Sequence, residues 1–104
     1  MVLELVTFHI IPGHEREFLD HARQHAKNST GEYEGCHSMQ FGADADRPGY
    51  VHGVVVWASR EAHTRFKTTD ERIDWRGRIE PLLQSEPELR FIHEVEHYAA
   101  GTAV

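Results

Sequence analysis

The stretch that decides the fold is Val54-Val55-Val56-Trp57-Ala58-Ser59-Arg60-Glu61-Ala62. Three consecutive β-branched residues favour a strand that is buried on both faces over a helix. Ser59 can cap the helix that follows, because its hydroxyl can accept a hydrogen bond from a free backbone N–H of the first turn. The junction therefore predicts that the Trp57 indole lies at the end of a sheet, where a helix turns back over it and a cavity can open.

The bulk composition predicts one globular domain over residues 1–104, with 39% hydrophobic and 27% charged residues. No apolar run is long enough to span a membrane. The formal net charge of −6 argues against nucleic acid or an anionic membrane as the main partner, because such a surface cannot replace their counterions. The single cysteine, Cys36, cannot form a disulfide within the chain, which is typical of proteins of the reducing cytoplasm.

Hydrophobic periodicity and turn residues divide the chain into four strands and three helices. The predicted strands are Leu3–Ile11, Cys36–Ala43, Tyr50–Ala58 and Leu89–Tyr98. The predicted helices run from Glu15 to about Lys27, from Arg60 to about Lys67, and onward from a capping box of Thr68 and Glu71. Pro81 is expected to kink or end the third helix, and its predicted inward residues are Ile73, Ile79, Leu82 and Leu83. We expect a frayed tail over residues 99–104.

The order β-α-β-β-α-α-β is typical of a ferredoxin-like α+β fold, with a four-stranded antiparallel sheet and helices on one face. Strands one and three carry apolar side chains at both alternating positions, such as Leu5 beside Val6 and Val54 beside Val55. Since the helices cover only one face of the sheet, we expect the other face to pack against a second copy in a homodimer.

Four short motifs spread over nearly the whole chain carry a resemblance to a known family. They are Pro12-Gly13 before a helix, Glu34-Gly35-Cys36 entering a strand, Trp57-Ala58-Ser59 with Glu61-Ala62, and Pro81-Leu82-Leu83. With this order of elements, the chain resembles the antibiotic biosynthesis monooxygenase family of dimeric α+β barrels. The resemblance implies a small pocket in each subunit between sheet and helices. It also implies oxidation of phenolic or quinol-type aromatics by dioxygen, without a metal or other cofactor.

Carried over position by position, the resemblance is mixed. The tryptophan at the end of a strand in the aromatic oxygenases matches Trp57. A pocket tyrosine of the polyketide-pathway members becomes His63, an asparagine of the same enzymes becomes Gly53, and a histidine of quinol-oxidising relatives becomes Phe66. The positions that are diagnostic of haem-degrading relatives are Val6, Phe66 and Arg76 here, which argues against haem degradation.

The candidate site follows from the chemistry that such an oxidation needs, namely a flat binding surface, a proton acceptor and exclusion of bulk water. Trp57 and His63 are the candidate catalytic residues, because an imidazole can take a phenolic proton near neutral pH. Arg76 could stabilise the resulting oxyanion through its fork of donors. The aromatic residues expected to bind the substrate beside Arg76 are Phe8, Phe66 and Trp75.

Simpler interpretations stand beside each candidate. Trp57 could be a packing residue of the core, His63 a solvent-facing residue of its helix, and Arg76 a solvated surface charge. Nine histidines invite a search for metal ligands. His21 and His25 lie one helical turn apart, which a polar helix face explains. His93 and His97 are expected on one face of the fourth strand, with His9 across from them on the first. The first pair has no third ligand fixed by the sequence. The three strand histidines could bind a transition metal, but strand residues four apart are too distant to share one easily, so we expect no metal site.

Two further functions remain open at this level. The same pocket could hold a small ligand without chemistry, or be filled by side chains in a purely structural dimer, and the glycine at position 53 favours that version. An isomerase or cyclase acting on a polyketide could use the same proton acceptor and would consume no oxygen. A cavity beside Trp57 that can hold an aromatic ring would separate the ligand-binding hypotheses from the structural one.

Overall fold

The computed structural model describes residues 1–101 and contains the predicted elements in the predicted order. The strands are β1 (Val2–His9), β2 (Cys36–Ala43), β3 (Tyr50–Trp57) and β4 (Glu88–Ile92). The helices are α1 (Glu15–Ser29), α2 (Arg60–Phe66) and α3 (Asp70–Ile79), followed by a 3-10 turn over Glu80–Leu82. Residues 99–101 lie outside these elements, and the rest of the predicted frayed tail, residues 102–104, lies outside the described part of the chain.

The four strands form one antiparallel sheet in the order β2-β3-β1-β4. Strand β3 alternates strictly between buried and half-buried residues, and its buried positions include Val51, Val55 and Trp57. These side chains pack against buried residues of the helices, among them Phe18 of α1 and Phe66 of α2. The α+β, ferredoxin-like arrangement with helices on one face is therefore confirmed.

The outer face of the sheet carries an apolar stripe. The register of β1 against β3 and β4 pairs Leu3 with Val56 and Ile92, and Leu5 with Val54, so these side chains share that face. Ile92 is 42% exposed, and the other four are half-buried. No helix of the described residues packs over this stripe, and the expected homodimer stays a prediction.

Two predictions about the third helix were wrong. Its cap is Thr69, whose Oγ1 accepts a hydrogen bond from the Arg72 backbone N–H at 3.3 Å, whereas Thr68 donates to the Arg65 carbonyl oxygen. Ile73 is 60% exposed rather than inward, because it lies on the side of α3 that faces away from the sheet. Pro81 ends the regular helix as predicted, since α3 stops at Ile79 and continues as a 3-10 turn.

The fourth strand is shorter than predicted. It pairs with β1 only from Leu3 opposite Ile92 to Thr7 opposite Glu88. Beyond Leu3, strand β1 contains only Val2, so the backbone of a longer β4 would have no partner for its hydrogen bonds. His93 and His97 consequently lie outside the sheet, and the prediction that they share a strand face was wrong. No helix within residues 1–101 has the length and hydrophobicity needed to cross a lipid bilayer.

Candidate active site

A cavity of about 120 Å³ lies between the inner face of the sheet and the helices. It separates two clusters of the core, one built around Phe8 and Trp75 and the other around Trp57 and Phe66. Every predicted site residue lines it, namely Phe8, Trp57, His63, Phe66, Trp75 and Arg76. The fold therefore brings together residues from one strand pair and two helices that are far apart in the sequence.

The walls of the cavity are aromatic and mutually braced. The Trp57 and Phe66 rings lie 5.2 Å apart at 49°, and the Phe8 and Trp75 rings 6.3 Å apart at 86°. Tilted and edge-on contacts of this kind are the geometries that aromatic pairs prefer. Only 1% of Trp57 is exposed, so its ring has little freedom to move. A flat ligand in the cavity would meet preformed surfaces rather than mobile side chains.

A buried carboxylate, which the sequence analysis did not identify, joins two of the predicted residues. Glu4 lies on the inner face of β1, directly opposite Val55 of β3. Its Oε1 accepts a hydrogen bond from Trp57 Nε1 at 2.9 Å, and its Oε2 lies 3.6 Å from His63 Nε2. Burial opposes ionisation, but the hydrogen bonds from His63 and Trp57, together with the charges of His63 and Arg72, leave the pKa of Glu4 below its ordinary value. The side chain of Glu4 is therefore a carboxylate at neutral pH.

His63 is buried, with 6% of its surface exposed, so it does not face solvent. Its ring meets Trp57 at 5.4 Å and Phe91 at 4.8 Å, both edge to face. Helix α2 holds it there, because the Ser59 hydroxyl accepts a hydrogen bond from the Ala62 N–H at 3.1 Å, as the sequence predicts. The fold therefore places the imidazole next to the Glu4 carboxylate, away from solvent.

A second histidine, His25 of α1, also lines the cavity and was not predicted to do so. Its ring stacks on Trp75 at 4.5 Å with the planes 2° apart, and its Nδ1 lies 2.7 Å from Glu71 Oε2. Burial lowers the pKa of His25, although the Glu71 carboxylate acts in the opposite direction. A neutral imidazole that donates Nδ1–H to Glu71 keeps Nε2 as a proton acceptor. The interpretation of His25 as a residue of a polar helix face was wrong, because Phe18, Ala22 and His25 form one buried stripe.

Two arginines of α3 complete the lining. Arg72 and Arg76 stand one helical turn apart and both face the cavity. Arg76 Nη2 lies 3.8 Å from Glu86 Oε2, but the Glu86 side chain is 90% exposed. Burial and the nearby charge of Arg76 lower the pKa of Arg72, and the charge of Glu4 opposes them. The cavity thus carries positive charge on its helical side, and Arg76 is not the solvated surface residue of the simpler interpretation.

Close packing explains why position 53 is a glycine. A Cβ atom added there would lie 2.8 Å from Val6 Cγ1 and 2.9 Å from Phe41 Cε1. The space that an asparagine side chain would need is therefore filled by Val6 and Phe41. The hydrogen-bond donor implied by the family resemblance is absent from this position, and polar groups reach the cavity from other positions, among them Glu4, His25 and Arg72.

This arrangement can hold one flat ring, accept a proton at either histidine and favour an anion beside the arginines. Among residues 1–101, no group of three or more histidine, cysteine, aspartate or glutamate side chains is placed to hold a metal ion.

The chain is similar to known proteins in both sequence and structure. A model of the antibiotic biosynthesis monooxygenase family matches residues 1–78, which include all six predicted site residues together with Glu4, His25 and Arg72. Among curated proteins, no match to the chain is found.

Solved structures share the fold at low sequence identity. A candidate antibiotic biosynthesis monooxygenase from Nitrosomonas europaea matches with a TM-score of 0.84 and 14% identity, over 92% of this chain and 100% of that one. A second candidate of the same description, from Caulobacter crescentus CB15, gives 0.85 and 19%, over 91% and 90% of the two chains. Rv0793 from Mycobacterium tuberculosis gives 0.82 and 16%, over 94% and 98%. At these identities the likeness establishes the fold alone.

Proposed function

The chain belongs to the antibiotic biosynthesis monooxygenase family, and on that premise we propose that it oxidises a small phenol or hydroquinone with dioxygen, without a cofactor. The observation that carries the proposal is the contact of Glu4 with both Trp57 and His63 at the edge of an aromatic-walled cavity. Such a site can bind an electron-rich ring, remove its proton and keep bulk water away from the anion.

Binding depends on the aromatic walls. The ring of the substrate lies among Trp57, Phe66, Phe8 and Trp75, which supply flat apolar contacts. The cavity of about 120 Å³ suits a single aromatic ring, since an engineered apolar cavity of about 150 Å³ binds benzene. The size therefore favours a one-ring phenol or hydroquinone over a polycyclic polyketide.

His63 is the proposed base. It takes a proton from the phenolic hydroxyl, and the carboxylate of Glu4, 3.6 Å from His63 Nε2, stabilises the imidazolium that results. Arg76 stabilises the phenolate, because a guanidinium presents several charge-assisted hydrogen-bond donors. An ionised phenol gives up an electron far more easily than a neutral one, so proton removal is the step that the protein controls.

The oxidation then balances without a further reductant. For a hydroquinone, one atom of dioxygen becomes a hydroxyl oxygen of the product and the other leaves as water, while the ring becomes a hydroxyquinone. The substrate supplies all the electrons that reduce dioxygen, together with the two hydrogen atoms of that water. Trp57 acts in this scheme by holding the ring beside the base.

Oxygen uptake tests the proposal. Protein treated with a chelator is mixed with a panel of one-ring phenols and hydroquinones in an oxygen electrode, and we expect uptake with at least one of them. His63→Gln should abolish most of this uptake, whereas His37→Gln, at an exposed histidine of β2, should leave it unchanged. Absence of uptake with every member, although calorimetry detects a bound ligand, would refute the oxygenase and leave a binding protein.

The two histidine–carboxylate pairs at the cavity favour one alternative reaction. His63 with Glu4 and His25 with Glu71 could serve as acid and base in an isomerisation. Conversion of a substrate under argon at the same rate as in air would identify this activity.

We further propose that a second copy of the chain covers the outer face of the sheet. The support is the apolar stripe of Leu3, Leu5, Val54, Val56 and Ile92, which would lose contact with water in a sheet-to-sheet dimer. Since the cavity lies on the opposite, helical face, each subunit would keep its own site.

A further inference from the structure

We infer that the natural occupant of the cavity is a one-ring phenol that carries a carboxylate, and that Arg72 binds this carboxylate together with Arg76. This inference rests on the proposed function for the phenol and names the substrate class that the same site would select.

The two arginines are placed to act on one group. Arg72 and Arg76 are separated by one turn of α3, so their side chains leave the helix on the same face. Both line the cavity that Trp57 and His63 also line. A ligand held against the aromatic walls would therefore meet two guanidinium groups on the helical side of the cavity.

No carboxylate of the described chain neutralises Arg72. Within residues 1–101, no acidic oxygen lies within 4 Å of its guanidinium, although the side chain is half-buried. The charge of Glu4 acts on Arg72, but the two oxygens of Glu4 already face Trp57 Nε1 and His63 Nε2. Two guanidiniums one turn apart also repel each other. A cation in this position gains most from an anion that arrives with the ligand.

Arg76 makes a weak ion pair with Glu86, which the carboxylate of a ligand can replace. Its contact with Glu86 measures 3.8 Å, and the Glu86 side chain is 90% exposed, so water already competes for it. Glu86 and the half-exposed Leu89 line the same cavity, and this edge therefore opens to solvent. A carboxylate that enters here can displace Glu86 and receive paired donors from the planar fork of an arginine.

The volume limits what else the ligand carries. About 120 Å³ is close to the volume of about 150 Å³ that holds one benzene ring, so any substituent has to be short and would lie at the edge that Glu86 lines with the arginines. A carboxylate on the ring meets both conditions, because it adds a charge with few atoms. A phenol with a carboxylate thus matches the aromatic walls, the base and the two arginines at the same time.

A matched pair of ligands tests the inference by binding alone. Gentisate (2,5-dihydroxybenzoate) and its neutral amide, 2,5-dihydroxybenzamide, have nearly the same shape and differ in charge. Affinities are measured by calorimetry under argon, so that no oxidation is needed. Because a hydrogen bond to a charged group contributes roughly 1.5–3 kcal/mol, we expect the acid to bind roughly 10- to 100-fold more tightly than the amide.

Variants locate the effect. Arg72→Gln should remove most of the preference for the acid, and Arg72→Lys should restore part of it through charge alone. Arg78→Gln is the matched control on the same helix, because Arg78 pairs with Asp74 and does not line the cavity. Its affinity for both ligands should equal that of the unaltered protein.

Three results would overturn the inference. They are equal affinities for acid and amide, an equal loss of both in Arg72→Gln, and no binding of either ligand. The oxygen assay is independent of these outcomes. Arginine-dependent binding of the acid without any oxygen uptake would refute the oxygenase and keep the ligand class. Oxygen uptake with uncharged hydroquinones, together with equal binding of acid and amide, would support the oxygenase and refute the carboxylate-bearing ligand.

Discussion

The Trp57 indole donates its Nε1–H to Glu4 Oε1 across 2.9 Å, from one strand of the sheet to its neighbour. The bond satisfies the polar atom of a ring that is only 1% exposed to solvent. It also places a carboxylate where it can stabilise a protonated His63. One hydrogen bond therefore links the packing of the core to the chemistry of the cavity.

Substitution of Glu4 should separate its hydrogen bond from its charge. Glu4→Leu leaves the Trp57 N–H without an acceptor, and we expect it to lower the free energy of unfolding by about 1–3 kcal/mol. Glu4→Gln keeps an acceptor oxygen and should cost less. Both variants should lose oxygenase activity, because neither stabilises a protonated His63. Urea unfolding measures the first effect, and equal stabilities of the two variants would contradict the role given to the hydrogen bond.

The protonation of His25 should appear in the pH dependence of stability. Burial lowers its pKa in the folded protein from the ordinary value of 6.5, so below that pH the unfolded chain binds a proton that the folded chain does not. The stability contributed by neutral His25 is thus complete above about pH 6.5 and is lost as the pH falls toward the folded-state pKa.

The measurement is the free energy of unfolding between pH 5 and 8 for the unaltered protein and for His25→Gln. We expect the difference between them to shrink toward low pH. Observation of the His25 ring by NMR gives an independent check. A folded-state midpoint above 6.5 would contradict the account of this site.

Adding a methyl group at Gly53 should overpack the sheet. Its Cβ would lie 2.8 Å from Val6 Cγ1, so Gly53→Ala should lower stability by about 1–3 kcal/mol. Gly42→Ala, on β2, is the matched control because no atom lies within 4 Å of its added Cβ. Thermal unfolding of the two variants compares them directly. A Gly53→Ala protein as stable as the control would show that Val6 and Phe41 do not fill this space.

A charge in the apolar stripe should dissociate the proposed dimer. Val54→Glu places a carboxylate at the centre of the outer face, where a sheet-to-sheet contact would bury it without a partner. We expect sedimentation equilibrium to give twice the chain mass for the unaltered protein and the single mass for Val54→Glu. Gln24→Glu, on the exposed side of α1, adds the same charge and should leave the mass unchanged. A single-chain mass for the unaltered protein would refute the dimer.

Local signals predict much of the fold. Strand β2 occupies Cys36–Ala43 as predicted, because Gly35 precedes it with φ at 82° and a polar turn follows. The helix cap at Ser59 and the strand–helix junction at Trp57 could also be predicted, since they depend on neighbours in the sequence. The end of β4 could not be predicted in this way, because it depends on how far β1 extends beside it.

The residues of the candidate site show the same difference between features set by sequence neighbours and features set by tertiary packing. Trp57 and His63 follow from the strand–helix junction, whereas Glu4 was passed over because a charged side chain is rarely buried without a partner. Only the register that brings β1 beside Trp57 explains why a carboxylate is buried there. His25 could have been found from its place in the apolar stripe of α1. Which residues of α3 face the cavity depends on how the helix packs, and that placed Arg72 inward and Ile73 outward.

The fate of the two atoms of dioxygen tests the central claim most directly. The protein is freed of metals, mixed with a one-ring hydroquinone that supports uptake, and exposed to ¹⁸O₂. We predict one labelled oxygen in the hydroxyquinone, the other in water, and loss of this product in His63→Gln. Product formation without label, or labelled product at the same rate in His63→Gln, would contradict the account.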